Sequence, residues 1–246
     1  MCKCIHGNIL DELVDPVSLI ITDPPIANLE NHIHVEDPKN LSYHLDIDNY
    51  LFEFKKYLHK MTHILSNDGV IVLGHLGRSV SGYDKYKEAI LYLNSLGFYL
   101  NEIVLIKAKN NNEGKKWHVF SQHRPKSINV LTLLYADKRI KKIPISLSHL
   151  GVNDENNIKF MIQRYSLPGD TVLDPFGGSG TVACVAKAMS RVGLSFDIDM
   201  EAHLFAESMT NSEEYIQTIK DLPIKDFTLN VISIKDALDI ESLNNL

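Results

Sequence analysis

The stretch Leu167-Pro168-Gly169-Asp170-Thr171-Val172-Leu173-Asp174-Pro175-Phe176-Gly177-Gly178-Ser179-Gly180-Thr181 decides the reading. A short β-prone run, 171–173, meets an acid, and three glycines follow within four positions. Small apolar residues over 181–189 then read as a helix. A strand feeding a glycine turn that opens on a helix N-terminus lets the backbone approach a ligand closely. The next strand, expected over 192–197, ends in a second acid, Asp197, which lies 19 residues beyond Gly178. At that spacing such a fold presents a carboxylate to a ribose hydroxyl. The pattern Gly178-x-Gly180-x-x-Ala183 also satisfies the dinucleotide fingerprint, so a nicotinamide-dependent dehydrogenase has to be weighed. Asp174 speaks against it, because a carboxylate at the mouth of the loop repels a pyrophosphate. It suits a cationic ligand instead, such as the ammonium and sulfonium of S-adenosylmethionine.

Working outward, the same alternation recurs. Residues 17–23 form an apolar run that stops at Asp23 and two prolines, which reads as a buried strand. Leu51, Phe54, Leu58, Met61 and Leu65 recur at three and four residues, which predicts an amphipathic helix with Gly69 as its stop. Residues 69–74 predict another buried strand, and 83–96 a helix closed by Gly97. Residues 98–106 and 128–135 are rich in β-formers, with a polar loop over 110–116 between them. Residues 158–165 look helical, and 227–234 suit one further strand. Strands alternating with helices imply an α/β fold: a single Rossmann-like domain over 1–246, with a mainly parallel sheet, helices on both faces and a small basic insertion.

A second motif, Asp23-Pro24-Pro25-Ile26, directly follows a predicted strand. The prolines fix the backbone and remove N–H donors. A carboxylate and the Pro24 carbonyl remain, two fixed acceptors aimed at one point. They suit an amino group on an aromatic ring. Accepting both its hydrogens favours a pyramidal nitrogen and localises its lone pair for in-line attack on a methyl group.

Together, Asp-Pro-Pro-x near the N-terminus and the 167–181 stretch some 150 residues later resemble the amino-directed DNA methyltransferases of the β motif order. The resemblance spans roughly residues 5–210. It implies a methyltransferase domain, S-adenosylmethionine as cofactor, and adenine N6 or cytosine N4 of double-stranded DNA as the methylated atom, with adenine preferred. The target base would be flipped out of the duplex. By the same resemblance Asp23, Pro24, Pro25 and Ile26 form the catalytic motif. Asn8, Asp174, Phe176, Gly178, Ser179, Gly180, Thr181 and Asp197 form the cofactor site. The sequence departs from the pattern at Ile26, where the family carries an aromatic ring that stacks on the base. Tyr43, Tyr50 and Trp117 are the candidate substitutes, since base–aromatic stacking contributes about 1–3 kcal/mol.

The charge is uneven. The chain of 246 residues carries 25 Lys and Arg against 31 Asp and Glu, a net −6 that at first disfavours a nucleic-acid binder. Residues 107–142 hold ten bases and two acids, or +8, which leaves −14 elsewhere. Within that window Lys115, Lys116, Trp117, Arg124 and Lys126 interleave cations with a ring, as a DNA-contacting surface does. A short target-recognition segment is therefore expected at about 107–126. So small a segment fits a very short recognition site, a homodimer or a partner that supplies specificity. Two alternatives stand beside active DNA methylation: a weak or inactive subunit that binds cofactor and DNA to assist a partner, and an RNA amino-methyltransferase. Three cysteines, two of them one residue apart, give no disulfide framework and suit a reducing cytoplasm; the resemblance implies a prokaryotic or phage-encoded protein. No metal site and no membrane contact are expected.

Overall fold

The computed structural model describes residues 1–25, 40–44, 46–76, 80–107, 117–125 and 155–224. The strands are β1 (Cys2–His6), β2 (Val17–Thr22), β3 (Leu65–Leu76), β4 (Phe98–Lys107), β5 (Trp117–Pro125), β6 (Thr171–Asp174) and β7 (Val192–Asp197). The helices are α1 (Ile47–Ile64), α2 (Val80–Ser95), α3 (Glu155–Tyr165), α4 (Thr181–Ala188), α5 (Met200–Asn211) and α6 (Glu213–Asp221). The strands form one sheet in the order β1-β7-β6-β2-β3-β5-β4. Among the described strands, β5 alone runs opposite to all the others.

Both faces of the sheet are covered, which is why its strands read as continuous apolar runs. Alternation divides each strand between two cores. Leu19, Ile21, Val70, Val72 and Val172 pack with Ile158 and Ile162 of α3, Val185 of α4 and Ile216 of α6. Ile20, Ile71, Leu73 and Leu173 pack instead with Tyr50, Phe54, Leu58 and Met61 of α1 and Leu93 of α2. The helical stripe read from the sequence is thus the buried face of α1. The α/β architecture expected from the pattern, a mainly parallel sheet with helices on both faces, is the one observed among the described residues.

Several boundaries differ from expectation. Helix α1 ends at Ile64, and Leu65 is already extended (φ −78°, ψ 136°), so the chain turns straight into β3. Gly69 therefore lies inside the strand and stops no helix. The pairing of Val17 with Leu65 and of Leu19 with Val70 shows the extra residues absorbed at a bulge. Strand β5 replaces much of what was expected to be a free recognition segment: its residues 117–125 bond β3 on one side and β4 on the other. Sequence pattern missed it because its polar and aromatic residues show no clean alternation. The expected strands at 128–135 and 227–234 lie outside the described residues. Gly97, at φ +89°, does close α2, in the left-handed backbone that favours glycine.

Candidate active site

The sheet order itself selects the site. From β6 the chain crosses through α4 to β7, on one side, and from β2 it crosses through α1 to β3, on the other. Strands β2 and β6 are neighbours whose connections diverge, and the crevice at their carboxyl ends is where such sheets bind ligands. Asp174 ends β6 and Asp23 directly follows β2. The two motifs, 150 residues apart in the chain, thus meet at one switch point.

The glycine turn is built from the backbone. Gly177 N–H donates to the Phe196 carbonyl at 2.7 Å, prolonging the bond ladder between β6 and β7. Gly178 N–H donates to Asp197 Oδ2 at 2.7 Å, and Asp199 N–H to Asp197 Oδ1 at 2.9 Å. Both oxygens of Asp197 are therefore oriented by backbone donors. Gly180 caps α4 with a left-handed backbone (φ 74°, ψ 14°), and a Cβ there would meet Ala206 Cβ at 2.8 Å. Only glycine satisfies both constraints.

Asp174 is buried beneath this turn. Its Oδ1 accepts from Thr22 Oγ1 at 2.6 Å and from Phe176 N–H at 3.0 Å. Burial pushes its carboxyl up to about 7; the Thr22 and Phe176 donors oppose that rise, and the charges of Asp197 and Asp23 add to it. An acid that titrates near neutrality, in a cleft with other acids, marks a place that gains from a cationic ligand.

Two cavities flank the turn. One, of about 290 Å³, is lined by Asn8, Asp23, Tyr57, Phe176, Gly178 and Asp197 among others. The other, of about 110 Å³, is lined by Asp23, Asp174, Phe176, Ser179 and Thr181 among others. Asp23, Phe176 and Gly178 border both. Asn8 is locked at both ends of its amide: Oδ1 accepts from Leu10 N–H at 2.9 Å, and Nδ2 donates to the Tyr57 hydroxyl at 2.6 Å. The Tyr57 ring lies against Phe176, 4.8 Å between centroids.

The structure brings together Asn8, Asp23, Pro25, Asp174, Phe176, Gly178, Ser179, Thr181 and Asp197, with Gly180 closing the turn. Pro24 lies between two of these. Ile26, Lys115, Lys116 and Lys126 lie outside the described residues. Trp117 and Arg124 sit at opposite ends of β5, paired with Lys107 and Tyr99 respectively. Seven residues of strand place them about 23 Å apart, with Trp117 toward the carboxyl end of β3. Among the rings considered as substitutes at the base site, Tyr50 is fully buried, whereas Tyr43 is 39% exposed and follows Leu41, which lines the larger cavity. Thr22 and Tyr57 were not singled out from the sequence. Each reads as an ordinary member of a strand or helix stripe, and only tertiary contact reveals what its hydroxyl does.

Residues 147–208 match the N6/N4 DNA methylase family model. Type II methyltransferase M1.MboII of Moraxella bovis is 33% identical over 88 residues, 36% of this chain and 29% of that protein. The chain matches under a third of the length of the curated relatives it resembles. Two solved structures share the fold. The M1.HpyAVI–SAM complex superposes with a TM-score of 0.59 at 18% identity, over 86% of this chain and 100% of that one. The cytosine-N4-specific PvuII DNA methyltransferase gives 0.57 at 20% identity, over 89% and 91%. The matched segment contains the glycine turn, the buried acid beneath it and the second acid across from it, and over residues 147–208 the chain is similar to the N6/N4 DNA methylases.

Proposed function

We propose that this chain moves a methyl group from S-adenosylmethionine to an exocyclic amino group of a base in DNA, adenine N6 in preference to cytosine N4. The observation that carries the reading is that Asp23 borders both cavities at the switch point. One carboxylate adjoins both the space beside Asp197 and the space beside Asp174.

The residues present fit the cofactor. A Cβ built at Gly178 meets nothing within 4 Å, so the turn is open on that side, and Asp197 stands across from it with both oxygens oriented. Asp197 is the acceptor for ribose hydroxyls, Asn8 and Phe176 wall the nucleoside, and Gly178, Ser179, Gly180 and Thr181 hold the turn around it. Asp174 faces the cationic end. When bound, S-adenosylmethionine supplies a methyl group carried on a sulfonium centre.

The chain's own chemistry is positioning and polarisation. Asp23 and the Pro24 carbonyl accept the two hydrogens of the amine and turn its lone pair toward the methyl carbon. The nitrogen loses one proton as it gains that carbon, and Asp23 is the acceptor placed for it. The base reaches Asp23 by rotating out of the duplex. Lys115, Lys116, Trp117, Arg124 and Lys126 contribute DNA contacts, with the whole of 1–246 acting as one methyltransferase domain.

The test is transfer of labelled methyl from S-adenosylmethionine to unmethylated DNA, with RNA in parallel and products resolved by mass spectrometry. Asp23→Ala is expected to abolish transfer while cofactor still binds. Undiminished transfer by that variant would refute the assignment. Product confined to RNA would move the substrate, and N4-methylcytosine would reverse the base preference.

A further inference from the structure

Tyr50 is an unusual occupant of the hydrophobic face of α1. It is fully buried in a cluster of Phe54, Leu58, Ile71 and Leu73, where a phenylalanine would pack as well. Burying a hydroxyl is unfavourable unless it finds a partner. Here the partner is the motif itself: Tyr50 Oη donates to the Pro25 carbonyl at 2.9 Å.

The helix start that carries Tyr50 is firmly held. Asp46 caps it, accepting Asn49 N–H on Oδ1 at 2.8 Å and Asn49 Nδ2 on Oδ2 at 2.6 Å. The Tyr50 amide donates to the Asp46 carbonyl at 3.2 Å, and its ring stacks on Phe54. The donor is therefore fixed relative to the sheet.

The acceptor side has little freedom left. Proline rings fix φ at Pro24 and Pro25. A following proline confines Asp23 and Pro24 to extended ψ. The soft dihedral remaining before residue 26 is ψ of Pro25, and the carbonyl that reports it is the one Tyr50 holds.

We infer that Tyr50 is a positioning residue for methyl transfer: its hydroxyl clamps the Pro25 carbonyl to α1 and so sets where Asp23 and the Pro24 carbonyl project into the cavity. The turn becomes a bracket fastened at two ends, by β2 at Thr22 and by α1 at Tyr50. This rests on the methyltransferase reading above and adds to it a residue remote from the reacting atoms. Burial, with the charge of Asp23 nearby, holds the phenol well above its ordinary range. The hydroxyl thus remains a donor throughout the neutral range.

The experiment compares the full chain with Tyr50→Phe, which deletes the donor and keeps the ring. Leu93→Ala serves as a control that loosens the same core from α2 and leaves the clamp. Turnover is expressed per cofactor-binding site, beside cofactor Kd, KM for DNA and the thermal midpoint. Tyr50→Phe is expected to lower kcat about ten- to hundredfold, the scale of a misplacement near 1 Å, with cofactor Kd and KM within twofold. Leu93→Ala is expected to lower the midpoint and keep kcat per site. Equal losses of kcat in the two variants, or unchanged kcat in Tyr50→Phe, overturn the positioning role while leaving the methyltransferase reading intact. A wild-type chain that binds cofactor but methylates no nucleic acid overturns that reading, and the inference with it.

Discussion

Replacing Asp174 with asparagine tests the electrostatics of the site directly. Burial lifts this carboxyl from 3.8 to about 7. A carboxyl whose pKa is raised by folding stabilises the folded state fully below its unfolded value and loses that contribution as pH climbs through its folded value. The window is therefore about pH 4 to 7. Three units at about 1.4 kcal/mol each amount to a penalty of about 4 kcal/mol for the ionised protein. Asparagine mimics the protonated acid and keeps an oxygen for the Thr22 and Phe176 donors. Urea unfolding of both proteins at pH 5, 6, 7 and 8 isolates this residue, because every other group titrates in both. The stability of Asp174→Asn relative to wild type is expected to rise with pH up to about 7 and then level off. Cofactor affinity should show the reverse sense, since a cationic ligand favours the ionised acid. It should rise by up to about tenfold per pH unit below 7 in wild type, and this dependence should be absent in the variant. A stability difference that stays flat from pH 5 to 8 would refute the argument, since it would mean that Asp174 is ionised throughout.

The remaining expectations concern the turn and the basic segment. Gly180→Ala forces a Cβ against Ala206 at 2.8 Å in a left-handed backbone, and should cost about 2 kcal/mol or more from strain and overpacking together, read as a lower urea midpoint with weakened cofactor binding. Replacing Lys115 and Lys116, which adjoin Trp117, should weaken DNA binding and reduce the slope of log affinity against log salt by about 1 to 2. Arg124 lies about 23 Å along β5 from Trp117, so its replacement should change that slope less. Equal changes from both replacements would join the two ends of β5 in one DNA surface.

The parts legible in the sequence were those in which local chemistry and tertiary role coincide. Val172 and Leu173 are apolar because both sheet faces are buried. Gly177 and Gly180 are glycines because the turn passes close to β7 and α5, and Gly178 because its backbone is left-handed at φ +48°. Asp197 could be placed by counting from Gly178, since a strand–helix–strand unit has a nearly constant length. What stayed hidden depends on where the chain goes afterwards. Gly69 looked like a helix stop because nothing local announces that Leu65 already pairs with Val17. Strand β5 was read as part of a recognition segment because its two neighbours in the sheet, not its own alternation, hold it extended.

The hydroxyls follow the same logic at a smaller scale. Thr22, Tyr50 and Tyr57 each occupy a slot that periodicity marks as buried, and a valine or a phenylalanine would satisfy that pattern equally. Their oxygens go to Asp174 Oδ1, to the Pro25 carbonyl and to Asn8 Nδ2. Each bond joins an element of the scaffold to a residue expected at the site. An apolar replacement at any of the three would keep the hydrophobic pattern and leave a motif group without that partner. The polar atom inside an otherwise apolar stripe is thus the trace that the site leaves on its scaffold, and it becomes readable only once β2, β6 and α1 are known to converge.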